Sequence, residues 1–276
     1  MKKMISLEIK RALFNKKMLI SLIVGMLISG HQIWLYLHTN DVGNMKQMVG
    51  YFEEQAMDAP DYLWSAWIGE SGMLFNGFLF FLILPLLAAF PHGNSYMLDE
   101  KNGYLKSVFT RTKKKNYYFA KWIATFFSGG LAVIIPLILN FLFFMTLFPI
   151  IGPYPETAHA GITDISTLSH LFYSTPFLYV GLFFIIIFIF AGIYATLSLI
   201  VTFFTDYSFI IFSFPFLIIL FGTMILDLAD LSFLSPQEFL YPFQAKISLP
   251  LLVLEMCSFL ILSLFSYLHF GMRGTD

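Results

Sequence analysis

Glu255, His31 and Asn140 are the side chains best placed for transport chemistry, because each interrupts a long apolar run. A polar group in hydrocarbon must find a partner there, and a centred charge costs about 2.5–3.5 kcal/mol of insertion. Glu255 lies about a turn and a half into its run, roughly 9 Å deep at about 1.5 Å per residue. Two readings stand: a carboxylate lining a translocation path, or one that reaches surface water. His31, beside Gln32 in the outer half of the first run, is either a ligand or a satisfied polar residue at a helix contact. Asn76 and Asn140 are neutral. A proton- or ion-coupled carrier calls for a buried chain of carboxylates and histidines, and few such residues fall in the runs.

Enzymatic motifs are missing from the sequence. There is no His-Glu-x-x-His and no Gly-x-Ser-x-Gly, and the Glu53-Glu54 pair falls outside the apolar runs, which argues against a membrane-embedded protease. The lone cysteine, Cys257, provides neither a disulfide frame nor a cysteine metal site. No Gly-x-x-x-x-Gly-Lys-Ser/Thr phosphate cradle occurs, so ATP cannot be held in that way. No catalytic, metal-binding or cofactor-binding residue is assigned, and the chain is read as a non-catalytic subunit. Lys113-Lys114-Lys115 is the one basic cluster, and beside a membrane it reads as a topology or lipid-headgroup signal rather than a nucleic-acid site.

The elements that carry these residues are six apolar runs, at 18–38, 72–90, 122–148, 176–204, 209–226 and 249–270. Each is near or above the roughly 20 residues that cross a bilayer as a helix. The composition is 58% hydrophobic and 12% charged, with a mean hydropathy of +0.76, far from the roughly 25% charge of soluble domains. The expected fold is all-α: one polytopic membrane domain over 1–276 with six spans. Fourteen of the sixteen Lys and Arg residues precede the first run, lie between the second and third, or follow the last. Because cytoplasmic loops retain Lys and Arg, both termini and the 91–121 loop are expected inside. The segment 39–71 carries six acids against Lys46 alone and is expected outside.

Residues 1–17 read as an interfacial helix. Ile5, Ile9, Ala12 and Leu13 fall on one stripe, and Glu8, Arg11 and Asn15 on a polar one, while Leu7 and Phe14 break the pattern. Such a helix either anchors the chain or touches a cytosolic partner. In the outer segment, Tyr62, Trp64, Trp67 and Ile68 suggest a helical piece at the membrane surface or a cap over a path. The 91–121 loop contains Asp99-Glu100-Lys101-Asn102-Gly103-Tyr104-Leu105, and Leu105, Val108, Phe109 and Thr112 form one apolar helical edge. An amphipathic helix in such a loop calls for a groove to lie in. The 34 Phe residues suit lipid contact and bundle packing, or a path for hydrophobic cargo. Pro85, Pro136 and Pro215 fall inside spans, where each removes a backbone hydrogen bond.

Glu100, Gly103 and Leu105 after the second span, then Arg111 and Lys121 entering the third, together with span number and loop lengths, resemble the second permease class of ATP-binding-cassette transporters. These are six-span half-transporters of the type V exporter fold. The resemblance implies a coupling helix at about 98–110, through which Asp99, Glu100, Gly103, Tyr104, Leu105, Val108, Phe109 and Arg111 would meet an ATPase. Glu8, Arg11 and the 205–208 turn with Asp206 would add further contacts. It also implies broken re-entrant helices before the last span, at 227–247. Partners would be two cytosolic ATPase subunits, which hold ATP and magnesium, and a second copy or homologue in the cytoplasmic membrane of a bacterium. The cargo would be a peptide or a lipophilic compound. Competing readings are a stand-alone secondary transporter or channel, and a membrane immunity or scaffold protein.

Overall fold

A computed structural model of the chain describes residues 1–38, 63–67, 75–148, 150, 152–153, 168–237, 240 and 249–273. All regular elements among the described residues are helical: α1 (Lys2–Leu13), α2 (Lys16–His38), α3 (Leu63–Ala66), α4 (Phe75–Ala89), α5 (Ser95–Lys101), α6 (Tyr104–Phe109), α7 (Lys114–Leu147), α8 (Ser169–Ser174), α9 (Pro176–Val201), α10 (Ser208–Leu228), a 3₁₀ turn (Ser232–Leu234) and α11 (Leu249–Arg273). Five of them, α2, α7, α9, α10 and α11, are long and apolar enough to cross a membrane. The chain is a multi-pass membrane protein, and its described elements are all helices. The second apolar run yields α4, whose 15 described residues span about 22 Å, short of the roughly 30 Å of hydrocarbon.

At the centre lie α7 and α9, whose apolar windows are 50% and 61% buried, against 17% for α10 and 22% for α11. Small residues let the two central helices meet closely. A Cβ added at Gly129 would run into the Ala195 methyl group and sit 2.9 Å from the Ala88 carbonyl oxygen, so α7 approaches both α9 and α4 at that point. Pro85, Pro136 and Pro215 each lie inside a continuous helix, in α4, α7 and α10.

Because α7 has 34 residues, about 50 Å at 1.5 Å per residue, it overshoots the hydrocarbon. Its first two turns, Lys114 to Lys121, therefore stand at the basic end of the bundle, where α1, α5 and α6 gather. Asn15 makes the corner between α1 and α2, donating to the Ala12 carbonyl at 2.7 Å and accepting the Met18 N–H at 2.7 Å. That second bond satisfies a donor of the first turn of α2, as an N-cap does. The stripe of α1 that faces the protein is Met4, Glu8 and Ala12, whereas Leu7 and Phe14 are exposed. The polar stripe of the sequence thus turns inward, because α7 provides a cation for it.

At the opposite end, Trp64 and Trp67 correct the expectation of a surface anchor. Both are buried, 1% and 2% exposed, with Trp64 against Phe172 and Phe177, Trp67 against Phe184, and Phe141 beside both. Indole rings that find aromatic neighbours at 5–6 Å gain more from packing than from headgroups. Tyr62 and Ile68 lie outside the described residues. So does part of the expected re-entrant region: α10 continues to Leu228, and 238–239 and 241–248 are not described.

Candidate functional site

A buried ammonium must be neutralised, and Lys121, two turns into α7, is fully buried. Its ammonium lies 3.0 Å from Glu8 Oε2 and donates a short hydrogen bond to Asp99 Oδ2. Arg11 closes the ring from the water side. It donates to Glu8 Oε1 at 2.8 Å, to Asp99 Oδ1 at 2.5 Å and to Asp99 Oδ2 at 3.3 Å, and its guanidinium stacks 4.6 Å over the Tyr104 ring. The Tyr117 hydroxyl donates to Asp99 Oδ2 at 2.7 Å. Two carboxylates and two cations thus share one small volume, joining α1, α5, α6 and α7.

The electrostatics follow from this packing. Burial works to raise the Glu8 pKa, but His92 and the charges of Lys121 and Arg11 together outweigh it and hold the carboxyl at about 2. His92, whose Nε2 stands 3.7 Å from Glu8 Oε2, acts in the same direction as the two cations. Asp99 is likewise lowered: burial opposes, and the Arg11 and Lys121 contacts prevail. Arg11 is raised despite its burial by both carboxylates. His92 is pushed down to about 4, chiefly by burial, and is neutral at pH 7.

The residues expected at a partner contact therefore divide in two. Glu8 and Asp99 are turned into the protein. Leu105 and Val108, both 8% exposed, pack on the chain's own Tyr96, Tyr117 and Tyr118, with the Phe109 ring 5.7 Å from Tyr117. The groove that the amphipathic edge requires belongs to this same chain. Glu100, Gly103 and Arg111 remain exposed, Tyr104 is half-buried, and Arg11 keeps 38% of its side chain accessible. The expected helix at 98–110 is two helices, broken at Gly103, whose φ of 70° is left-handed. Lys101 bridges the break to the next loop, donating to the Asp206 carbonyl oxygen at 3.1 Å with its carboxylate 3.6 Å away. A cavity of about 670 Å³ opens there, between Glu100, Lys101 and the 202–207 segment.

The three expected path residues are not brought together. His31 Nδ1 and Asn76 Oδ1 are hydrogen-bonded at 2.9 Å, joining α2 to α4. Asn140 donates to Gln32 Oε1 at 3.2 Å and to the Ser29 carbonyl at 3.3 Å, and Gln32 donates to the Ala66 carbonyl at 2.9 Å. Glu255 belongs to neither set. It is buried on α11, 9% exposed. Among the described residues no group of three or more His, Cys, Asp or Glu side chains could hold a metal ion.

Compared with protein-family models, curated proteins and solved structures, the chain matches none. The site is therefore interpreted from its own geometry. Sequence reasoning placed Glu8 and Arg11 on one stripe and Asp99 in the loop without joining them, and it did not single out Tyr117 or His92. The available signal was Lys121: a cation embedded among Ala120, Trp122 and Ile123 has to find carboxylates, and the acids expected on its side of the membrane include Glu8, Asp99, Glu100 and Asp206.

Proposed function

We propose that the chain is the membrane subunit of an ATP-driven exporter, with α4 completing six spans and a second copy or homologue completing the path. Both termini and the basic end face the cytoplasm in this reading, in the cytoplasmic membrane of a bacterium. Two separate ATPase subunits, which hold ATP and magnesium, press on the exposed Glu100, Lys101, Gly103 and Arg111 and on Asp206 across the cavity. The cargo is a peptide or a lipophilic compound, in keeping with the small share of charge in the spans. The expected re-entrant helices belong to the same reading.

One observation carries this proposal: the ion-pair knot of Glu8, Arg11, Asp99 and Lys121 fastens an extramembrane loop to a central span. Lys101 and Asp99 lie two residues apart on α5, one facing outward and the other fixed to α7 through Lys121. Displacement of the exposed surface is thereby passed to α7 without slack. ATP shifts such a system only by its difference in affinity for the two states.

The test is capture from native membranes. Cys257 is replaced by Ser, a single cysteine is placed at Lys101, and a thiol-reactive crosslinker is applied before mass spectrometry. An ATP-binding protein captured at 101, and not at a control position on the opposite end such as Leu37, is the expected result. Transport driven by an ion gradient with no ATPase captured overturns the proposal.

A further inference from the structure

A cleft of about 330 Å³ lies beside the ion-pair knot, between the corner of α1 and α2 and the turn that leads into α5. That volume is at the small end of the range for ligand pockets. Its walls are strongly cationic, with Lys16, Lys17 and Arg11 on one side and Ser95 and Asn102 on the other. The single acid in the wall is Asp99, whose oxygens are already taken by Arg11, Lys121 and Tyr117. The Ser95 hydroxyl, on a residue only 7% exposed, is buried in the wall with no hydrogen-bond partner. Lys17 gives one donor to Asn94 Oδ1 at 2.5 Å and keeps two. The first turn of α2 adds its own positive end, since Asn15 occupies only the Met18 and Leu19 N–H groups. Among the groups left to meet a ligand there, the Ser95 hydroxyl, two Lys17 hydrogens and the exposed Lys16 ammonium can all donate.

We propose that this cleft binds the phosphate headgroup of an anionic phospholipid. A phosphate is the acceptor-rich, negatively charged group that such walls suit. The lipid is favoured over a free anion by what continues from the cleft. Lys16, Ile20, Ile23 and Leu27 form one exposed stripe along α2, at i, i+4, i+7 and i+11. From Lys16 to Leu27 this stripe is about 16 Å long, close to the roughly 15 Å depth of one leaflet. Phosphate at Lys16 and an acyl chain on the three apolar side chains fit one molecule, and inorganic phosphate uses only the first half. Bound lipid would brace the corner at Asn15, which holds α1 in the knot. The proposal concerns lipid recognition and stands whether or not the chain is an exporter subunit.

The test uses the full chain in micelles doped with phosphatidylglycerol or phosphatidylcholine, and counts retained lipid by native mass spectrometry. Preference for phosphatidylglycerol of about tenfold is expected. One lysine near a membrane surface contributes about 1 kcal/mol, so Lys16→Gln should weaken retention roughly fivefold. Lys16 is exposed, so this variant leaves the fold intact. Asn102→Asp, also at an exposed position, puts a like charge against the phosphate and should produce a similar loss. Lys113→Gln, an exposed cation at the same end but outside the cleft, should change nothing. Equal retention of the two lipids overturns the proposal, and so does a Lys113→Gln loss as large as that of Lys16→Gln. Inorganic phosphate that displaces the lipid completely at equal concentration assigns the cleft to a free anion and also overturns it.

Discussion

The two ends of this bundle are held by different physics. At the basic end, the buried Glu8, Asp99 and Lys121 and the partly exposed Arg11 join α1, α5 and α7, and both carboxylates meet the same lysine. At the opposite end, Trp64, Trp67, Phe141, Phe172, Phe177 and Phe184 share their contacts, and the Gln32–Asn140 pair adds neutral hydrogen bonds. Charges concentrate dependence on one atom; rings distribute it. A region that transmits motion gains from the first arrangement, and a region that only has to stay closed gains from the second.

The largest effect should come from Lys121→Met. It leaves Glu8 and Asp99 buried with Arg11 alone, and breaking a buried ion network from one side costs about 3–5 kcal/mol. Unfolding in a mild detergent, followed by tryptophan fluorescence, checks this. The comparison sharpens with Glu8→Gln added to Lys121→Met, which restores charge balance around Arg11 and Asp99. Recovery of about half the loss or more is expected. If the double variant is no better than the single one, charge is not what holds that end.

Trp64→Ala tests the other end. In a soluble core such a truncation costs about 3–5 kcal/mol, but here neighbouring rings still touch one another, and lipid is as apolar as the core it replaces. A loss of about 2–3 kcal/mol is expected in the same assay. A larger loss than that of Lys121→Met would reverse the comparison.

The pH dependence should separate the ends as well. His92 has an ordinary pKa of 6.5 and one of about 4 in the folded protein, so the unfolded chain binds its proton first as pH falls. Stability is thus complete above about pH 6.5 and declines toward pH 4, by about 3 kcal/mol in all. Glu8, at about 2 folded against 4.5 unfolded, extends the decline in the same direction between pH 4.5 and 2. His92→Gln should flatten the upper window. A melting curve that stays equally steep between pH 6.5 and 4 in that variant removes His92 from the account.

The spans were legible because apolar length is a local property: the described helices α2, α9, α10 and α11 start within two residues of the runs read from sequence. The start of α7 was missed by eight residues, since Lys114 to Lys121 is polar by composition and helical only because α7 continues through it. In the site the individual residues were visible and their partnerships were not. Glu8 and Asp99 are 91 positions apart, and no periodicity links them. Which stripe of α1 turns inward was not legible either, because hydrophobicity predicts the inward face only when no buried cation is waiting there. Trp64 and Trp67 were placed at the surface by a statistical preference that their aromatic neighbours override.

Asn140→Leu should have a modest effect. Interhelical hydrogen bonds in membranes contribute about 0.6 kcal/mol on average and rarely exceed about 1.7, and leucine is close in volume. The change removes bonds to Gln32 and Ser29 and leaves the Gln32 bond to Ala66 in place. A loss of about 1 kcal/mol in the unfolding assay is expected, with the basic-end pH windows unaltered. Should Asn140→Leu prove as damaging as Lys121→Met, the neutral network would be as concentrated as the charged one. The contrast between the ends would then lie in chemistry alone, not in how dependence is distributed.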